Sequence, residues 1–221
     1  MPEPTVGNST VSLKRLVADG YDRIAYDTRW RARWSASPKE PPPHRAYLEA
    51  FLRSLPRNPR VLDIGCGDGG SYLPWLSERA ALVGLDLSRG QLHHAAQRTP
   101  SAQLLQADMG SLPLRPASFD GAVALYSIIH VPRWEHAALF ESIRALLRRN
   151  GMLLAVLGAG DTPGGWEDDW FGSRMYWSHH NVPEGQRLLR QAGFAILESQ
   201  IEQDYLDPQA AHLFVLARRE G

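Results

Sequence analysis

The segment Val61-Leu62-Asp63-Ile64-Gly65-Cys66-Gly67-Asp68-Gly69 constrains this chain more than any other. A short apolar run, Arg60–Ile64, enters Gly65-Cys66-Gly67-Asp68-Gly69-Gly70, which satisfies G-x-G-x-x-G, and a helix is expected over Gly69–Arg79. Glycines at such a junction let the backbone turn tightly and approach a ligand, with N–H groups of the following helix pointing at it. Alone the pattern is weak, because glycine loops also arise as plain turns. Its surroundings strengthen it. Strands are expected at Ala81–Asp86, Ala102–Ala107, Phe119–Tyr126, Met152–Leu157, Phe194–Glu202 and His212–Arg218, and helices at Arg89–Arg98, Arg133–Arg149 and Glu184–Ala192. Strands separated by helices of this length imply parallel pairing with right-handed crossovers.

Three acids share the predicted carboxyl edge of that sheet, where such folds bind ligands. Asp63 lies two residues before the first glycine, Asp86 ends the next strand, and Asp108 follows the third. Asp86 is placed where a carboxylate accepts both hydroxyls of a ribose. Each aspartate taken singly also suits a turn or a helix cap. Cys66 reads as a small residue that fits the loop, not as a nucleophile.

These segments resemble the class I S-adenosylmethionine-dependent methyltransferase family. The resemblance is carried by VLDIGCGDG (61–69), LVGLDLS (82–88), LLQADMGSLPL (104–114), FDGAVALYSIIHV (119–131) and LLRRNGMLLAV (146–156), within residues 15 to 219. It implies a Rossmann-like α/β fold: a seven-stranded, mostly parallel sheet of order 3-2-1-4-5-7-6, last strand antiparallel, helices on both faces, and an N-terminal helical cap. It also implies S-adenosylmethionine as cofactor, S-adenosylhomocysteine as product, and no metal. By the resemblance Gly65, Cys66 and Gly67 contact the cofactor's amino-acid part and Asp63 supports the loop or the ammonium. Asp86 takes the ribose, with Leu87 and Ser88 beside it; Asp108 and Met109 take the adenine. Tyr21 and Tyr126 complete the cofactor set. A nicotinamide oxidoreductase shares the fold and the ribose carboxylate, but Asp63 and Ala107-Asp108-Met109 fit the methyl donor better. Proteins of this fold that bind the cofactor without transferring methyl form a third class.

Methyl transfer from a sulfonium needs positioning and exclusion of water more than a catalytic set. A base is required only where the acceptor must lose a proton. His130, after the fourth strand, has a suitable intrinsic pKa and is the candidate base. Residues 1–56 read as a helical extension, polar and frayed over 1–12, with helices at Leu13–Trp34 and His44–Leu55 separated by the proline-rich 37–43. Residues 57–221 form the cofactor-binding domain, interrupted by an aromatic insert at 158–183. Aromatics with a few polar groups suit an acceptor pocket, so Trp166, Trp170, Tyr176 and His179 are assigned to its wall, with Tyr26 from the extension. His179, His180, Asp168 and Asp169 lack the spacing of a metal site. His93-His94 is expected on an exposed helix face.

The 221 residues carry 24 basic and 24 acidic side chains. That balance offers no bulk field for nucleic acid or an anionic membrane, so the partner expected is a small-molecule acceptor, with neither nucleic acid nor membrane. Amino-group enzymes acting on DNA adenine or protein glutamine show Asn/Asp-Pro-Pro-aromatic after the fourth strand, where this chain has Ala124-Leu125-Tyr126-Ser127. One cysteine fits a reducing compartment, and neither a signal peptide nor a long apolar run is evident. The location expected is the cytoplasm; acceptor and oligomeric state are left open.

Overall fold

The computed structural model describes residues 10–28, 44–70, 72–204 and 210–221. Seven strands form one sheet: β1 Arg60–Ile64, β2 Ala81–Asp86, β3 Gln103–Gln106, β4 Phe119–Ala124, β5 Leu147–Gly158, and at the chain's end β8 Phe194–Gln203 and β9 Ala211–Arg219. Their order is β3-β2-β1-β4-β5-β9-β8. β1 pairs in parallel with β2 and β4, β2 with β3, and β4 with β5, while β9 runs antiparallel to β5 and β8. This is the Rossmann-like order expected, with the last strand reversed.

The apolar strands bury both faces, as a parallel sheet covered by helices must. Leu62 and Ile64 of β1 point to one core, shared with Leu139, Phe140 and Ile143 of the helix His136–Leu146 and with Leu188 and Leu189 of the helix Val182–Gln191. Val61 points to the other, shared with Leu48 and Phe51 of Arg45–Arg53, Leu73 and Leu76 of Tyr72–Ser77, and Leu92 and Ala95 of Arg89–Arg98. Each fully buried Leu, Ile or Phe contributes roughly 1.5–3 kcal/mol. Helix starts are set locally: Ser88 caps Arg89–Arg98 by accepting from the Gln91 N–H at 3.1 Å, and Asn181 caps Val182–Gln191 by accepting from Glu184.

Several boundaries shift. The helix expected to Arg149 ends at Leu146, because Leu147 already pairs with Phe119 at the head of β5. That expected over Gly69–Arg79 is only Tyr72–Ser77. The N-terminal helix is Thr10–Ile24; the remainder of its expected span from 29 onward, and the proline-rich segment, lie outside the described residues. The aromatic insert has regular structure of its own. It is a β-hairpin, β6 Thr162–Trp170 and β7 Ser173–His179, forming a separate two-stranded antiparallel sheet. The N-terminal helix lies against β7, with Leu13 and Val17 packed on Met175 and Tyr176. No helix among the described residues is long and apolar enough to cross a membrane.

Candidate active site

The glycine loop is pinned to the end of β2. Gly65 and Cys66 donate N–H bonds to the Leu85 carbonyl at 2.8 and 2.9 Å, and Gly67 donates to Asp86 Oδ2 at 2.8 Å. Two of its glycines are required for different reasons. Gly65, at φ +76°, abuts the tip of β4, where an added Cβ would fall 2.3 Å from that of Ser127. Gly67, at φ +55°, faces space: only Gln91 Oε1, 3.9 Å away, would come near a Cβ. Backbone is thus bared to a cavity there. Cys66 is buried, and burial raises its thiol pKa well above the ordinary value, which suits packing and not nucleophilic attack.

Beneath the loop, Asp63 is fully buried and neither carboxylate oxygen has a hydrogen-bond partner among the described residues. Burial pushes its pKa up to about 7; the Tyr72 hydroxyl, outside hydrogen-bond geometry, moderates the rise, and the Asp86 charge adds to it. An orphaned carboxylate at this depth is costly unless a donor or cation arrives. Asp86 differs. Its Oδ1 accepts from the Ser88 N–H at 2.8 Å and its Oδ2 from Gly67, leaving the second lone-pair site of each oxygen for paired hydroxyls. Burial raises it to about 6, against those backbone bonds, which lower it. Asp108 is already engaged: Lys14 Nζ lies 2.9 Å from Oδ2 and the Gly110 N–H 2.7 Å from Oδ1.

The loop, Asp86 and Asp108 open into one cleft of about 1190 Å³, which continues past the tip of β4 to the hairpin and the facing ends of β8 and β9. Asp86, Leu87, Ser88, Asp108 and Met109 line one end; Tyr21, Ser127 and His130 the middle; Trp166, Trp170, Trp177 and His179 the hairpin side; His44, Tyr126, Asp204 and His212 the far side. His130 sits in the 3-10 turn after β4. Its Nδ1 lies 2.9 Å from the Tyr176 carbonyl. A carbonyl only accepts, so Nδ1 carries the proton and Nε2 accepts from the Tyr21 hydroxyl at 2.8 Å. Burial lowers the His130 pKa to about 4, the Tyr176 carbonyl opposing, so the ring is neutral near pH 7. Its neighbours are aromatic: Trp177 at 4.4 Å between centroids, Tyr21 at 5.3 Å and Trp170 at 6.3 Å.

Of the residues singled out in the sequence, the cleft gathers Tyr21, Gly65, Cys66, Gly67, Asp86, Leu87, Ser88, Asp108, Met109, Tyr126, His130, Trp166, Trp170 and His179. Asp63 lies under the loop. Two assignments to the acceptor wall need correction. Tyr26 is 62% exposed and rests against His94 outside the cleft; the helix ends at Ile24, so Tyr26 has left the face that carries Tyr21. Tyr176 is buried behind Trp166, 5.0 Å between centroids, and acts on the site through its carbonyl. His94 is buried, not solvated. Sequence reasoning missed Asp22, whose Oδ1 accepts from Ser88 Oγ at 2.5 Å and the Gly90 N–H at 2.8 Å, docking the N-terminal helix beside the loop. It sits next to Tyr21, the one available hint. Trp177, overlooked in favour of Tyr176, was legible as its neighbour on the opposite side of a strand. No cluster of three or more His, Cys, Asp or Glu suited to a metal ion occurs among the described residues.

A methyltransferase domain family matches residues 61–151. Over 160 residues, 71% of this chain, the sequence is 33% identical to a tRNA (carboxymethyluridine(34)-5-O)-methyltransferase of Xenopus tropicalis, covering 23% of that protein. Over 44% of this chain it is 36% identical to an 18S rRNA (guanine-N(7))-methyltransferase of Arabidopsis thaliana, covering 38% of it. The chain thus spans well under half the length of these relatives. Among solved structures, a 1,6-didemethyltoxoflavin-N1-methyltransferase of Burkholderia thailandensis, with bound 1,6-didemethyltoxoflavin and S-adenosylhomocysteine, shares the fold at TM-score 0.75 and 22% identity, covering 100% of this chain and 94% of that one. The two RNA-directed relatives overturn the expectation that nucleic acid is not a partner. A balanced charge total sums the whole molecule, whereas phosphate contact depends on where charges cluster.

Proposed function

We propose that this chain, a class I S-adenosylmethionine-dependent methyltransferase by family, transfers a methyl group from that cofactor to an oxygen or nitrogen atom of a small molecule. One observation carries the reading: a single cleft of about 1190 Å³ joins the glycine loop to the tryptophan hairpin. Single-ligand pockets run to roughly 1,000 Å³, so this one has room for a cofactor and a second molecule side by side.

The residues fit the cofactor. Gly67 bares backbone to the cleft, the orphaned Asp63 carboxylate suits an ammonium nearby, and Asp86 offers two oriented oxygens for ribose hydroxyls. Leu87 and Met109 give an apolar slot beside Asp108. When bound, S-adenosylmethionine supplies an electrophilic methyl carbon on a sulfonium, displaced in line by the acceptor. The chain's own task is placement. The N-terminal helix, docked by Asp22, and the hairpin exclude water from above. His130 serves as a positioning residue, since its Nε2 holds the Tyr21 hydroxyl and a ring with a pKa of about 4 stays uncharged. In this reading the helix Thr10–Ile24 acts as the cap and the hairpin as the acceptor wall.

Methyl-labelled S-adenosylmethionine incubated with the protein and a fractionated metabolite extract tests the reading. Label in a small-molecule fraction supports it. Label only in added RNA would move the acceptor to nucleic acid, and tight cofactor binding with no label anywhere would assign the cleft to chemistry other than methyl transfer. Loss of the Tyr21–His130 contact should lower kcat similarly in Tyr21→Phe and His130→Ala, with the double variant no worse than either, because the two act as one unit. Additive losses would refute the positioning role.

A further inference from the structure

Resting on the methyl-transfer reading, we propose that the accepting atom is the nitrogen of an amine, and that the cation formed on it is held against the aromatic corner of Tyr21, Trp170 and Trp177. Trp170 meets Tyr21 at 75° with 5.5 Å between centroids, and Trp177 at 86° and 5.4 Å. Rings at right angles present π faces in different directions around one corner of the cleft, and an ammonium is attracted to such faces. The corner adjoins His130 and the tip of β4, between the cofactor end and the hairpin.

Charge points the same way. Among the described residues the cleft is lined by five carboxylates, Asp68, Asp86, Asp108, Glu167 and Asp204, and by one ammonium, Lys14, which is bound to Asp108 and Glu135 at 2.9 and 2.8 Å. Asp68 is paired with Arg98 at 3.2 Å and Asp204 with His212 at 2.9 Å. Desolvation lowers the pKa of His44, His130 and His212, so these three rings add little positive charge at neutral pH. Such a lining offers more acceptor oxygens to a cation than donors to a carboxylate or phosphate.

The transfer step itself balances once the nitrogen is unprotonated. The nitrogen lone pair forms the N–C bond, the C–S electron pair returns to sulfur, and the positive charge passes from sulfur to nitrogen. An aliphatic amine reaches neutral pH mostly as its ammonium and must first release that proton to solvent; a tertiary amine then gives a quaternary ammonium with no further proton to remove. A hydroxyl acceptor would have to lose a proton, yet the one imidazole at the corner has its Nε2 engaged by Tyr21. A site prepared for positive charge on sulfur needs little reorganisation when that charge moves a few ångströms.

Three probes of one shape separate the cases: choline, 3,3-dimethylbutan-1-ol and 3,3-dimethylbutanoate, titrated calorimetrically into protein saturated with S-adenosylhomocysteine. Choline should bind about ten-fold tighter than the neutral alcohol, the scale of a partly desolvated cation–π contact, and the anion more weakly than either. Trp177→Leu should abolish the difference between choline and the alcohol; Trp170→Leu, nearer the hairpin's end, serves if the first variant no longer binds S-adenosylhomocysteine. Equal or tighter binding of the alcohol or the anion, or no choline binding to the saturated protein, overturns the proposal. Failure of the wild-type protein to bind S-adenosylhomocysteine would instead overturn the methyl-transfer reading beneath it.

Discussion

Asp63 and Asp86 sit two strands' ends apart in sequence and do different work. Both are buried and both have raised pKa values, about 7 and about 6, but only Asp86 is hydrogen-bonded by backbone. Asp63 in the free protein is therefore protonated below about pH 7. Between about pH 4 and 7 the folded chain holds a proton there that the unfolded chain has lost, so stability falls as pH rises through that window, by up to about 1.4 kcal/mol per pH unit, and levels off above 7. Asp63→Asn removes this loss: the variant should be more stable than wild type at pH 7, with a smaller gain at pH 4, while binding S-adenosylhomocysteine more weakly. Denaturant titrations at both pH values check the first part and calorimetry the second. A variant less stable at pH 7 would mean the carboxylate is satisfied in the free protein. Asp63, Asp86 and the glycines were legible because their spacing follows from a strand ending in a tight turn. The Lys14–Asp108 ion pair was not, since it joins residues 94 positions apart.

At the scale of elements, the cap helix and the hairpin decide whether the cleft is closed. The cap is tied by Asp22 to Ser88 and Gly90, so Asp22→Ala should cost about 1–3 kcal/mol for the lost charged hydrogen bonds. Faster release of S-adenosylhomocysteine in stopped-flow dissociation would accompany it; an unchanged off-rate would separate the cap from cofactor retention. The hairpin is seated where the His179 ring lies over Gly158: an added Cβ there would fall 2.2 Å from the ring, whose Nδ1 donates to the Gly160 carbonyl. Gly158→Ala should displace His179, costing about 1–3 kcal/mol by overpacking, and lower turnover more than cofactor affinity. The alternating strands and helices could be read from apolar runs and their lengths. The hairpin could not, because register shifts between Thr162 and Gly165 and between Glu167 and Trp170 break the two-residue period that marks a strand.

For the whole molecule, sheet order and the reversed last strand follow from the order of elements and the family resemblance together. The partner set did not follow from totals. A chain with equal numbers of acidic and basic residues still places five carboxylates along one cleft, and its similarity to RNA-directed methyltransferases removes the ground for excluding nucleic acid. The proposed function places a cofactor at the glycine-loop end of the cleft, and calorimetric titration with S-adenosylhomocysteine and, separately, with NAD tests that most directly. The account predicts one S-adenosylhomocysteine per chain, weakened by about 1–3 kcal/mol in Asp86→Ala through loss of hydrogen bonds to a charged group, and no heat with NAD. Binding of NAD with none of S-adenosylhomocysteine, or an affinity untouched by Asp86→Ala, would contradict it.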